Sequence, residues 1–250
     1  MTGDFEGIGV LVTGGSSGIG LVTARLLSDR GARVAVLDLE GAAPTPLVGV
    51  RGDVTDQHSV DRAVAHAVEE LGRLDVLVNN AGVGASGTVE DGDLDEWHRV
   101  LDVNLLGTVR TTRAALPFLR RSPRAAVVNV CSIVATAGLP RRALYSASKG
   151  AVLSLTRAMA ADHLTDGVRV NCVNPGTVDT PWVGRLLAEA EDPKAEKAAL
   201  EARQPTGRLV DADEVAEAIA YLAGPRSASV TGVALAVDGG MSGLRVSSRA

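Results

Sequence analysis

The 250-residue sequence predicts a single α/β domain, doubly wound on a mostly parallel, seven-stranded sheet with helices on both faces. Three observations carry that expectation. Short β-branched runs alternate with helical segments from end to end, the order that gives parallel strands joined by right-handed crossovers. The strand-like runs are apolar almost without interruption, as strands covered on both faces must be. No linker, repeat or second composition regime divides the chain, whose length suits one core across residues 1–250.

Strands are expected at residues 9–12, 33–37, 47–50, 74–78, 126–130, 168–173 and 233–237, the third being the weakest. Helices are expected over 18–30, 56–71, 93–119, 146–163 and 211–223, with Asp56 and Asp211 placed to cap two of them. After the sixth strand the rhythm breaks. Pro181, Pro193 and Pro205 bracket one charged helical stretch over 188–202. An insertion this long, 177–207, is the natural candidate for a substrate lid.

Composition excludes several classes. Apolar residues make up 46% of the chain, which rules out disorder, and the net charge of −5 comes without a basic tail or patch. Nucleic acid and anionic membranes are therefore not expected partners. No run approaches the roughly 18 apolar residues of a membrane span. Met1 to Phe5 offer no charged leader before an apolar run, so a cytoplasmic location is expected. Cys131 and Cys172 lie in apolar strand-like runs without metal-site spacing, and are read as buried free thiols. No metal site is expected.

Chemistry concentrates at two places. The first strand is followed by Thr13-Gly14-Gly15-Ser16-Ser17-Gly18-Ile19-Gly20. Glycines between a strand and a helix let the backbone approach a pyrophosphate, while the helix start presents free N–H groups and its positive dipole end. Asp38 ends the second strand, 18 residues after Gly20, where a carboxylate accepts from both ribose hydroxyls and repels a 2′-phosphate. No Arg or Lys stands at 14–17 or 39, so NAD is favoured over NADP.

Tyr145 and Lys149 form the second group, one helical turn apart on one face. A free tyrosine ionises near pH 10, too high for a base at neutrality, and a neighbouring ammonium favours the phenolate. Such a pair can take a proton from an alcohol or return one to a carbonyl. Ser132 ends the fifth strand, 13 residues before Tyr145.

The Gly-x-x-x-Gly-x-Gly spacing behind Thr13, with Asp53-Val54, Asn79-Asn80-Ala81-Gly82, Ser132, Tyr145-x-x-x-Lys149 and Pro175-Gly176, resembles the short-chain dehydrogenase/reductase family over essentially the whole chain. The resemblance implies a Rossmann domain and a catalytic tetrad of Asn104, Ser132, Tyr145 and Lys149. Ser132 would fix the reacting oxygen, Lys149 would also hold the nicotinamide ribose, and Asn104 would support a water linking Lys149 to solvent. It implies cofactor contacts from Gly14, Ser16, Ser17, Gly18, Ile19 and Gly20 in the glycine turn, and from Asp53 and Val54 at the adenine. Asn80, Ala81 and Gly82 would follow beyond the fourth strand, with Pro175, Gly176, Val178 and Thr180 around the nicotinamide. It also implies a homotetramer.

The lid sequence, Pro175-Gly176-Thr177-Val178-Asp179-Thr180-Pro181 with Arg203-Gln204-Pro205-Thr206-Gly207-Arg208, looks like the branch of cytosolic 3-hydroxybutyrate-type and deoxy-sugar-acid dehydrogenases. There, arginines just before the catalytic tyrosine and in the lid bind a carboxylate. The matching positions are Arg142, Arg185 and Arg203, and guanidinium forks suit that task. Trp182 departs from the small residue of that branch and would reshape the pocket. The alternative is that these arginines simply keep the lid region soluble. The alternatives left open are a 3-oxoacyl-thioester reductase, a polyol or steroid dehydrogenase, and a dinucleotide-sensing protein without turnover; Asp38 and the acidic balance oppose the first, an intact tetrad the last.

Overall fold

The computed structural model describes residues 3–245. Seven strands form one sheet in the order β3-β2-β1-β4-β5-β6-β9, and every pairing is parallel. The strands are β1 (Gly9–Thr13), β2 (Arg33–Asp38), β3 (Val48–Arg51), β4 (Val76–Asn79), β5 (Ala126–Val130), β6 (Arg169–Pro175) and β9 (Ala234–Val237). β7 (Val178–Asp179) and β8 (Val210–Asp211) pair separately and tie the two ends of the lid together.

Successive residues of the central strands β1, β4 and β5 are all buried, yet they belong to different cores, because side chains alternate across a pleated strand. Val10 and Val12 of β1 join Val34, Val36, Val76 and Val78 in a core under α1 (Gly18–Asp29) and α8 (Ala212–Ala223). Leu11, between them, packs with Leu37 and Leu77 on the other face. That face is covered by α2 (Gln57–Leu71), α4 (Gly107–Leu119) and α5 (Ala143–Asp162). Asp56 caps α2 by accepting from the His58 and Ser59 N–H groups, and at α8 the Glu214 carboxylate takes the Asp211 N–H.

Three expectations need correction. The helix expected over 93–119 is α3 (Leu94–Leu101), then a π-helical turn (Asp102–Leu106), then α4. The lid holds two helices, α6 (Pro181–Ala188) and α7 (Pro193–Ala202); the second takes up most of the stretch expected over 188–202 but starts five residues later, and the first was not expected. Asp192 starts the second by accepting from the Lys194 and Ala195 N–H groups, so the chain must leave helical geometry there. The helix bearing Tyr145 begins at Ala143 rather than 146, which puts Tyr145 in its first turn. No helix among the described residues is long and apolar enough to cross a membrane.

Chain order reverses beside β1: the strands run outward to β3, then resume at β4 on the opposite side. That reversal opens a crevice at the carboxyl ends of β1 and β4, where ligands of open α/β sheets bind.

Candidate active site

Two adjoining cavities fill this crevice. The first, about 410 Å³, is lined by Gly14, Ser17, Gly18, Ile19, Asp38, Asp53, Val54, Asn80, Ala81 and Gly82. The second, about 330 Å³, is lined by Ser132, Tyr145, Lys149, Pro175, Gly176 and Val178, and by Arg142, Arg185 and Arg203. Thr180, Trp182 and Arg185 line both, so the lid covers their junction.

The first cavity is built by the β1 turn and the loop after β4. Gly14 sits at φ +62°, in the left-handed region that a side chain disfavours. The Thr13 hydroxyl accepts from the Asn80 and Ala81 N–H groups, and the Asn80 amide donates to the Thr13 and Gly14 carbonyls, clamping the two loops together. Helix α1 starts at Ser17 with no side-chain cap and no acid in its first turn. Its N–H groups and dipole are therefore available to an anion. The Asp38 oxygens accept from the Ser16 and Leu39 N–H groups at 3.1 and 2.8 Å, which fixes the carboxylate at the cavity wall. An anion cradle at one helix start and a carboxylate at the neighbouring strand end fit a dinucleotide.

Two residues expected on the cofactor stand behind that wall. Ser16 spends its N–H on Asp38 and its hydroxyl on the Ala42 carbonyl. Gly20 lets the helix pack close: a methyl there would lie 2.4 Å from the Gly14 carbonyl oxygen. Both shape the turn without lining a cavity.

The second cavity rests on a buried polar ladder. Asn79 donates to Asn129, which donates to Thr156, joining β4, β5 and α5 beneath the site. Above it Lys149 is 5% exposed, and its Nζ donates to the Val130 carbonyl at 2.8 Å. That Nζ lies 6.0 Å from the centre of the Tyr145 ring. The Ser132 hydroxyl accepts from the Val134 N–H at the same strand end.

Asn104, at the π turn, lines neither cavity. Its Oδ1 accepts from the Val83 N–H at 2.8 Å, and its Nδ2 donates to the Val83 carbonyl and the Ser148 hydroxyl. The π turn thus aims one amide at both the loop after β4 and the helix carrying Tyr145 and Lys149. The geometry is that of a positioning residue.

Arg142 precedes α5 and donates to the Ala85 carbonyl and the Ser86 hydroxyl. Burial, and next the nearby Arg203 guanidinium, hold the Arg142 pKa below its usual range, while Tyr145 and Glu196 oppose that shift. Two cations sharing one cavity leave it attractive to an anion.

A profile described as "Enoyl-(Acyl carrier protein) reductase" matches residues 14–242. The chain belongs to the short-chain dehydrogenase/reductase family. It is 42% identical to cis-4-hydroxycyclohexanecarboxylate dehydrogenase of Sinomonas cyclohexanicum, over 92% of this chain and 94% of that one. The ligand-free aldohexose dehydrogenase of Thermoplasma acidophilum superposes with a TM-score of 0.92 at 33% identity, covering 99% of this chain and 98% of that one. The 3-ketoacyl-(acyl-carrier-protein) reductase of Brucella melitensis, solved with NADH, gives 0.86 at 34% identity, covering 95% and 99%. Like other members of this family, the chain is a nicotinamide-dependent oxidoreductase acting on CH–OH groups.

Sequence reasoning missed Gln204. It is buried at the far hinge of the lid and donates to the Thr177 and Arg208 carbonyls, which knots the hinges together. A glutamine beside a proline carries no helix or strand periodicity, so nothing in the sequence marks it. Leu139, Leu186 and Leu200, apolar walls of the second cavity, were equally hidden because they read as ordinary core. Cys131 and Cys172 are free and buried; the contact with Cys172, and then burial, push the Cys131 thiol up, which suits an inert packing residue. Among the described residues no cluster of His, Cys, Asp or Glu could hold a metal.

Proposed function

We propose that this enzyme moves a hydride between NAD and the secondary-alcohol carbon of a small hydroxy acid or sugar acid. One observation carries the reading: Arg142, Arg185 and Arg203 line the same cavity as Ser132, Tyr145 and Lys149. The similarity to a dehydrogenase whose name specifies a hydroxy-carboxylate supports it.

Bound NAD supplies the hydride acceptor for oxidation. The residues of this chain do the rest. Arg142 and Arg203 hold the carboxylate, which sets the alcohol end at a fixed distance from the arginines. The Ser132 hydroxyl holds the reacting oxygen, and Tyr145 takes its proton as the carbonyl forms. Lys149 holds the ribose and sets its ammonium beside the Tyr145 ring. The uncapped start of α1 receives the pyrophosphate, Asp38 the adenine-side ribose hydroxyls, and Asp53 and Val54 flank the adenine. The lid, 177–207, closes over both and excludes water. The active assembly in this reading is a homotetramer, carried over from the family resemblance.

The test is NADH formation from NAD across hydroxy acids, sugar acids, aldohexoses and polyols, with 3-oxoacyl thioesters assayed in reverse. The reading expects the acids to lead. A preference for thioesters with NADPH would replace it with the acyl reductase assignment.

A further inference from the structure

Trp182 is 46% exposed on the lid, yet its indole crosses the crevice to the loop after β4. A methyl group at Gly84 would lie 2.7 Å from Cζ2 of Trp182 and 3.4 Å from Cε2 and Cη2, so the benzene half of the indole lies directly against the glycine. Gly84 is not among the glycines in the left-handed region, so its backbone does not require glycine. What the missing side chain provides is a seat for the indole.

Trp182 lines both cavities and Gly84 lines the second, so their contact lies where the two meet. One wall of the crevice is the loop carrying Asn80, Ala81, Gly82 and Val83; the other is α6 on the lid. Thr180 begins α6 by accepting from the Val183 N–H, and Pro181 stiffens its first turn. The indole is thus held by a rigid helix start on one side and by a glycine on the other. It bridges the crevice between the cavity that fits a dinucleotide and the cavity lined by Tyr145.

We propose that Trp182, seated on Gly84, is a specificity-determining residue that restricts this site to compact hydroxy acids by closing the crevice to long acyl chains. The inference rests on the hydroxy-acid reading above and deepens it. An extended chain leaving the reacting carbon would have to displace the indole, whereas a short or ring-shaped acid would pack beneath it. A pocket wall of this kind discriminates by about tenfold or more.

The experiment compares 4-hydroxycyclohexanecarboxylate with 3-hydroxydodecanoate in the full-length wild type, Trp182→Ala and Gly84→Ala. Both compounds carry the carboxylate, so Arg142 and Arg203 are constant. The first variant removes the bridge and the second unseats it. Because Trp182 is half exposed and Gly84 lies on a loop, both variants should keep the fold, which a thermal melt checks. The expected result is that the compact-to-long ratio of kcat/KM falls about tenfold in both. An unchanged ratio in both variants overturns the proposal. Binding of the two acids to the enzyme–NADH complex, read from NADH emission, decides the same question without turnover. A wild type that binds the compact acid selectively but oxidises no acid would refute the proposed function and leave this inference standing.

Discussion

Lys149 donates its Nζ to the Val130 carbonyl at 2.8 Å, and no carboxylate pairs with it among the described residues. With one donor on a neutral carbonyl and no carboxylate partner, the remaining Nζ donors are available to whatever enters the cavity beside Tyr145. Lys149→Met keeps the stem and removes the charge, a change that buried sites tolerate when no partner ion is orphaned. It should bind NADH more weakly and lose turnover by about a hundredfold or more. An NADH titration and initial rates on one protein sample measure both.

Arg142 and Arg203 share the cavity of Ser132, Tyr145 and Lys149, and truncating each should cost affinity for an acid specifically. A hydrogen bond to a charged group contributes about 1.5–3 kcal/mol, so Arg142→Ala and Arg203→Ala should each lower kcat/KM about ten- to a hundredfold. The loss should be large on the acid and small on its methyl ester. Equal losses on both would return the arginines to a surface role.

The Asp38 carboxylate is anchored by two backbone N–H groups and cannot swing away from a 2′-phosphate without losing both. NAD should outperform NADP by at least about tenfold in kcat/KM, or about 1.4 kcal/mol. Asp38→Ala combined with Leu39→Arg should erode that margin. Comparable use of both cofactors by the wild type would contradict the assignment.

The sheet was legible because buried parallel strands are written as apolar runs, and β1 through β6 all appear near their predicted places. The last strand, at 234–237, is less buried and was still found by its unbroken apolar run. The π turn at Asn104 was not legible, because its residues continue the helical pattern and the extra residue is visible only in the hydrogen bonds. The first lid helix, α6, was hidden because it lies before the charged stretch that suggested a helix, whereas Asp192-Pro193 is a start signal that would have placed the second at 193 rather than 188. At the site, side chains on strand ends and the α5 face could be placed from spacing. The Gly84 seat for Trp182 is a contact across 98 residues and has no local signature.

Asp75 ties the amino end of the sheet together: its carboxylate accepts from the Gly9 N–H, the Arg73 guanidinium and the Ser122 hydroxyl. Burial favours its neutral form, but these donors outweigh burial and hold its pKa below the ordinary value. An unfolded aspartate titrates near pH 3.9, so the contribution is complete above that value and is lost as pH falls toward the folded pKa. Asp75→Asn should cost about 1–3 kcal/mol at neutrality, several degrees in Tm for a domain of this size. The Tm gap between the two proteins should stay constant above about pH 5 and narrow as pH falls below about 4. A gap independent of pH would mean that shape, not charge, holds this corner.

The most direct test of the account is Tyr145→Phe, which removes the transferable proton and keeps the ring against Leu144 and its neighbours. NADH should bind with nearly wild-type affinity, while oxidation of the best hydroxy acid falls by about a hundredfold to ten-thousandfold. A variant that binds NADH and still turns over at close to the wild-type rate would contradict proton transfer by Tyr145.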